Sequence, residues 1–513
     1  MSIVTLANLA GGLNADLSPE ELGPGFWSVS WNMRFADGYA SRFGGMTQAF
    51  TTPVITPYYI APYATTTARF WIHAGLAAIY SDDGTTRTNI TGASVPTGGI
   101  DDRWTGGSLN GVQVLNNGVD VPRFWAGVPA TPFAVLPGWN ATHRCASMRP
   151  FKNYLIALNI TKGAVKFPHM VKWSNTLAPG AITAAGDWDE TNPAIDAGET
   201  DLAETPDLLV DCLPLGDVNI VYKERSMYAM IYVEAPRFFR FQRLPGDYGM
   251  LSRGCAVSTP VGHVVLTAGD IVVHSGQGCT SIANAIVRDY IFSNLGQTNY
   301  PRAFVTSNPR NNEVWVCFPS GSNTACNMAA VWNWVDKTWA LRTLDNVTYG
   351  ATGQINFVLS NTWSAAVGTW ANIKGTWADG KYSPFESRLM LAHSTPRITL
   401  ADQGSTDFGA NFTSVLERSG MSLDSPDMVK TCRAVYPRIE GTTGTTVDIE
   451  VGASMTASTP PTWQPARTFK IGVDQKIDTF ATGRFLAIRL THNNASKWRI
   501  RSMGLDIHQG GKY

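Results

Sequence analysis

Between residues 50 and 400 one theme recurs: a short run of β-branched and aromatic residues, a tight turn, and another such run. Phe70 to Tyr80 leads into Ser81-Asp82-Asp83-Gly84, and Val112 to Leu115 turns at Asn116-Asn117-Gly118. Val264 to Thr267 turns at Ala268-Gly269-Asp270 into Ile271 to His274. Glu313 to Phe318 precedes Ala329 to Trp334, which turns at Asp336-Lys337 into Trp339 to Thr343. Turn residues that accept positive φ bring each strand back beside its predecessor, so strands this close in sequence pair as antiparallel neighbours. The fold class expected is therefore all-β. Hairpins repeated in this way predict a β-propeller, whose blades run about 40–50 residues each, which gives about six or seven degenerate blades here. The chain's 48 Gly, 29 Pro and 17 Trp suit a turn-rich β protein that packs large aromatics.

Three regions are expected. Residues 1–50 read as an irregular, Gly/Pro-punctuated segment with too little alternation to fold without a partner surface. Residues 51–400 form the propeller, with insertions at about 173–222 and 345–390. Beyond residue 400 the pattern changes. Cys432 to Glu440 and Thr446 to Val451 alternate as strands do, and Phe485, Ala487 and Leu490 need one covered face. Residues 401–513 therefore read as a C-terminal β-sandwich platform, on which the first fifty residues pack.

No convergent catalytic chemistry shows in the sequence, and the chain is expected not to be an enzyme. The eight His form no H-x-H or H-x-x-H cluster. There is no G-x-S-x-G elbow and no P-loop. Gly276-Gln277-Gly278-Cys279 follows a strand that turns back, which reads as a hairpin. The nearest approach to the Asp-box of sialidase-type propellers is Ser81-Asp82-Asp83-Gly84-Thr85-Thr86, with no Trp after it and no second copy. Seven widely spaced Cys show no C-x-x-C pair and read as buried free thiols. Cys317 and Cys326 could still face each other across a hairpin. No cofactor and no metal site are expected.

Charge balances, with 40 Lys and Arg against 40 Asp and Glu. A chain that grips DNA carries a basic excess, because phosphate neutralisation drives its affinity. Balance argues against tight DNA binding and is compatible with a conduit. The opening Met-Ser-Ile-Val-Thr-Leu-Ala-Asn lacks a basic start and a long apolar run, and no stretch of about 18 apolar residues could span a membrane as a helix. Folding in a cytoplasm is expected.

Two insertions stand out. Residues 173–222 hold ten acidic residues and no Lys or Arg. The stretch is either a solvated acidic loop or a cation site or DNA-repelling wall, with Asp187, Asp189 and Glu190 as candidate channel lining. In the second insertion Trp363, Trp370 and Trp377 recur every seven residues, while Gly368, Gly375 and Gly380 speak against a helix. These indoles either line a contact between subunits or fill their own propeller.

The order of several segments resembles a known family. Gly11-Gly12-Leu13-Asn14 through Trp31-Asn32-Met33-Arg34-Phe35-Ala36-Asp37-Gly38 and Arg42-Phe43-Gly44-Gly45 open the set. Met148-Arg149-Pro150-Phe151-Lys152-Asn153-Tyr154 and Val171-Lys172-Trp173-Ser174 follow. Val221-Tyr222-Lys223-Glu224-Arg225-Ser226, Val331-Trp332-Asn333-Trp334 and the spaced tryptophans come next. Gly483-Arg484, Ala487-Ile488-Arg489 and Trp498-Arg499-Ile500 complete it. Together they resemble the tail nozzle proteins of short-tailed phages, also described as tail tubular or packaged-DNA stabilisation proteins. The resemblance implies a structural virion protein, located in the phage tail and assembled in the host cytoplasm. It implies a homohexameric ring below the portal and adaptor rings, and a tail needle or tail fibres as further partners. Double-stranded DNA would pass through without tight binding, and no small-molecule substrate is implied. The rival expectation is a glycan-binding or glycan-cleaving propeller, or a tail fibre-associated protein.

Overall fold

The computed structural model describes residues 2–65, 68–235, 237–354 and 387–512. Among the described residues the protein is nearly all-β, with one short α-helix at Arg288–Asn294: six propeller blades joined to a β-sandwich platform. Blade 1 is built from Tyr59–Ala64, Arg69–Ala74, Ile79–Asp82 and Arg87–Asn89. Blade 2 follows with Thr105–Leu109, Val112–Asn116, Arg123–Trp125 and Ala134–Val135, and blade 3 with His143–Phe151, Tyr154–Lys162, Val165–Trp173 and Gly198–Asp201. Blade 4 uses Leu209–Leu215, Val218–Lys223, Met227–Tyr232 and Phe239–Arg243, and blade 5 uses Ala256–Thr259, Gly262–Leu266, Ile271–His274 and Cys279–Ser281. In each, four strands lie in sequence order and pair antiparallel, the arrangement the turn signals dictate.

The sixth sheet is larger. Phe304–Asn308, Glu313–Phe318, Cys326–Asn333 and Trp339–Gln354 form the blade. Ser387–His393, Ile398–Ala401 and the early strand Met46–Gln48 extend it to seven strands. Its second strand, Glu313–Phe318, is buried throughout because both faces are covered. Val314 and Val316 face the core shared with blades 4 and 5, while Trp315 and Cys317 face the core shared with the platform. That is the period of two expected of a strand.

The ring closes through its packing. Trp125 and Ile72 join blades 1 and 2 in one core, Leu155 and Val114 join blades 2 and 3, and Tyr154 and Val221 join blades 3 and 4. Ile220, Val264 and Val305 link blades 4, 5 and 6. Trp71 and Ile60 of blade 1 then meet Met390 and Leu400 of the extended sixth sheet.

Both chain ends build the platform. Its first sheet runs Ile477–Gly483, Met428–Gly441, Trp498–Lys512, Tyr39–Arg42, Met33–Ala36, with Ser2–Leu6 also paired to Trp498–Lys512. Its second sheet runs Thr462–Trp463, Thr446–Ser454, Phe485–His492, Ser414–Met421, Val29–Trp31, with Arg467–Lys470 on Thr446–Ser454.

Three readings need correcting. Residues 1–50 are not an irregular segment: they hold seven short strands. The sandwich is not made from 401–513 alone, since four of those strands complete its sheets. Strands of two to five residues carry too little alternation to register in the sequence, and partners lying far along the chain complete them. Cys317 and Cys326 do not face each other either. Cys317 pairs with Ala329 and Cys326 with Val347, and both thiols are free and buried.

Candidate functional site

Two features gather the polar chemistry most relevant to function: the junction between platform and propeller, and the acidic stretch 173–222. At the junction, Arg34 comes from the platform hairpin Met33–Ala36/Tyr39–Arg42, whose Asp37-Gly38 turn has φ of 54° and 78°. Its Nε donates to Glu313 Oε1 at 2.5 Å, and its Nη2 donates to Glu313 Oε2 at 3.0 Å and Asp402 Oδ2 at 2.7 Å. Asn308 and Asn311 donate to the same Asp402 oxygen at 2.8 and 2.9 Å, and Trp315 Nε1 reaches Glu313 Oε2 at 3.1 Å. Burial works to raise the Asp402 carboxyl, yet Arg34, Arg342 and the Asn308 amide hold it below the usual carboxylate range. At Glu313 burial outweighs Arg34, and the carboxyl is raised.

Beside this set, Arg342 is fully buried. Its Nη2 donates to Asp407 at 2.7 and 2.9 Å, and its Nη1 to Asn32 Oδ1 at 3.0 Å. Arg42 donates to the carbonyls of Ser405 and Phe412 at 2.8 and 2.9 Å. The Phe412 ring lies between the two guanidiniums, 3.7 Å from that of Arg42 and 4.1 Å from that of Arg342. Burial and the neighbouring Arg342 push the Arg42 pKa down to about 10. Asn32, at φ 57°, also accepts from the Thr343 backbone and donates to the Thr413 carbonyl at 2.7 Å. These groups hold one another and clasp the platform to the propeller.

The stretch 173–222 is not one insertion, since Gly198–Asp201 and Leu209–Leu215 are blade strands within it and Val218–Lys223 begins there, and its acidic residues take their counter-charge from outside that span. Lys172 donates to Glu190 at 2.5 Å and Glu199 at 3.2 Å, and Lys162 to Glu199 at 2.7 Å. Arg149 grips the buried Asp211 at 2.6 and 2.9 Å, and Lys223 lies 3.4 Å from Asp207. Residues before and after the stretch thus pair Glu190, Glu199, Asp207 and Asp211 with cations that the stretch itself lacks. Of the three candidate lining residues, Asp187 accepts from Asn175 Nδ2 at 3.0 Å and the Ala184 amide at 2.7 Å. Asp189 caps its own turn through Thr191, whose hydrogen bonds hold the carboxyl below its ordinary value. Glu190 is tied to Lys172. Trp363, Trp370 and Trp377 lie outside the described residues.

Among the described residues no three His, Cys, Asp or Glu group as a metal site, and no helix is long and apolar enough to cross a membrane. The hairpin expected at Gly276–Cys279 is present, with His274 paired to Cys279. Arg342, Asp407 and Phe412 escaped the sequence reading, and Arg42 entered it only through a resemblance, because Arg342 and Asp407 lie 65 residues apart, Arg42 and Phe412 370 apart, and no local pattern marks them.

No family model matches the chain, and no curated protein matches it. Among solved structures it is similar to the WD40 β-propeller domain of Doa1, at 7% identity, with a TM-score of 0.39, over 72% of this chain and 100% of that one.

Proposed function

We propose that this protein is a structural component of a virus particle, the tail nozzle of a short-tailed phage. In this reading its copies close into a homohexameric ring below the portal and adaptor, continue the DNA channel, and carry a needle or fibres. The observation that carries it is the union of two β bodies into one block. Phe43 and Leu505 of the platform share a core with Trp315 and Val331 of blade 6, and the arginine clasp locks the same seam. A closed propeller is stiff and protects its edges, and heterologous contacts between stiff identical blocks close into rings when the rotation closes. The ordered resemblance of segments to nozzle proteins adds to this. The chain performs no catalysis in this role. The test is electron microscopy with sedimentation of the purified protein. A sixfold annulus is expected; monodisperse monomers at every concentration tried would overturn the reading.

One observation favours a second reading, a glycan-binding propeller. A groove of about 900 Å³ at the rim of blades 3 and 4 brings Phe238 and Phe241 beside Asp201, Glu204 and Arg240. Aromatic faces with hydrogen-bonding rims suit sugars. Saturable oligosaccharide binding lost in Phe241→Ala would support it.

A further inference from the structure

One end of the propeller gathers positive charge that its own carboxylates do not balance. At that end the first strands of blades 1, 2 and 6 begin, and a pocket opens between Tyr58, Arg103, Trp104, Arg302, Thr324 and Ser394. Its volume is about 90 Å³, several times the roughly 10–15 Å³ that a single water needs on the same measure.

Arg103 is only 7% exposed. Its Nη1 donates to the Arg302 carbonyl at 2.6 Å, while its Nη2 is buried with no hydrogen-bond partner among the described residues. Arg253 lies against it, donating to the carbonyls of Arg103 at 3.1 Å and Ala146 at 2.8 Å. The nearby acids are committed elsewhere. Asp101 binds Arg302 at 2.7 Å, Asp211 binds Arg149 at 2.6 Å, and Asp102 accepts from the Gly99 amide at 2.7 Å. Arg103 and Arg253 thus share Asp102, the one of these three acids with no arginine of its own, as counter-charge. A buried charge left unpaired is strongly unfavourable, and a guanidinium with an unused N–H is built for an oxyanion. Leu76, Trp104, Ala325 and Val347 give the pocket an apolar wall, and Asp102, Arg103, Thr324 and Ser394 are part of its polar lining.

We propose that this pocket binds a small oxyanion of the phosphate or carboxylate kind, held by Arg103 and the hydroxyls of Thr324 and Ser394. The anion supplies the missing negative charge at the end of the propeller and ties blades 1, 2 and 6 together there. The site is independent of ring formation and of the nozzle reading.

The experiment is isothermal titration of the full chain with inorganic phosphate and, separately, with acetate, against sodium chloride at matched ionic strength. Saturable binding of at least one oxyanion is expected, weakened about tenfold or more in Arg103→Gln, the loss that follows from removing one charge-assisted hydrogen bond. Preference for phosphate identifies a free phosphate-type ligand. Preference for acetate identifies a carboxylate, as an acidic side chain of a partner would supply. Should Arg103→Gln fail to fold, the exposed pair Thr324→Ala/Ser394→Ala serves, with a weakening of about threefold or more expected. No heat beyond that of chloride, or binding unchanged in the variants that fold, overturns the proposal.

Discussion

Arg342 shows how a single side chain carries the seam. It is fully buried, its Nη2 is committed to Asp407, and its guanidinium stacks on Phe412. A buried ion pair adds little net stability, but removing one partner strands the other. Arg342→Ala is therefore expected to cost about 3–5 kcal/mol in urea unfolding, and the double change Arg342→Ala/Asp407→Asn clearly less than the sum of its parts. Buried histidines set a pH response at the same scale. Burial pushes His73 down to about 3 and His393 down to about 4. An unfolded histidine titrates near 6.5, so between that pH and the folded value the unfolded chain binds protons that the native chain does not. Stability then falls as pH drops, by about 2 kcal/mol per histidine between pH 7 and 5. Unfolding free energies of the wild type and of His393→Gln at both pH values check this: the variant should lose that share of the slope.

At the scale of elements, the link from the platform hairpin to the sixth sheet depends on Gly45. Its amide donates to the Gly404 carbonyl at 3.1 Å, and the next residue, Met46, exchanges hydrogen bonds with Thr406 and Phe408 at 3.1 and 3.0 Å. A Cβ at position 45 would collide with the Thr406 backbone, which those bonds hold in place. Gly38, at φ 78° in the hairpin turn, faces open space. Gly45→Ala is expected to destabilise by more than about 3 kcal/mol and Gly38→Ala by only about 1 kcal/mol. Thermal melts of the two variants separate steric conflict from backbone preference; equal shifts would mean that the Thr406 segment yields.

For the whole molecule, platform and propeller share one core, and the platform is sewn from both chain ends. Calorimetry should show one cooperative transition spanning both. The fragment 401–513 by itself should show none, because it lacks the strands Ser2–Leu6, Val29–Trp31, Met33–Ala36 and Tyr39–Arg42. A fragment that melts cooperatively would mean that the sandwich is a separate domain after all.

What the sequence by itself determined was local. The period-two runs and turn residues specified strands, hairpins and the propeller class, because a hairpin is decided by residues within about ten positions of one another. Asp37-Gly38 and the turn between His274 and Cys279 were legible for that reason. The closure at six blades, the seventh strand supplied by Met46–Gln48 and the strands contributed by the first fifty residues were decided only in the tertiary structure. So were the clasp of Arg34, Arg42 and Arg342 and the surplus charge at Arg103. The acidic stretch 173–222 looked uncompensated along the chain, yet Lys162, Lys172, Arg149 and Lys223 pair with Glu199, Glu190, Asp211 and Asp207 across strands. Pairing energy depends on distance in space, and folding brings together charges that the linear order keeps apart.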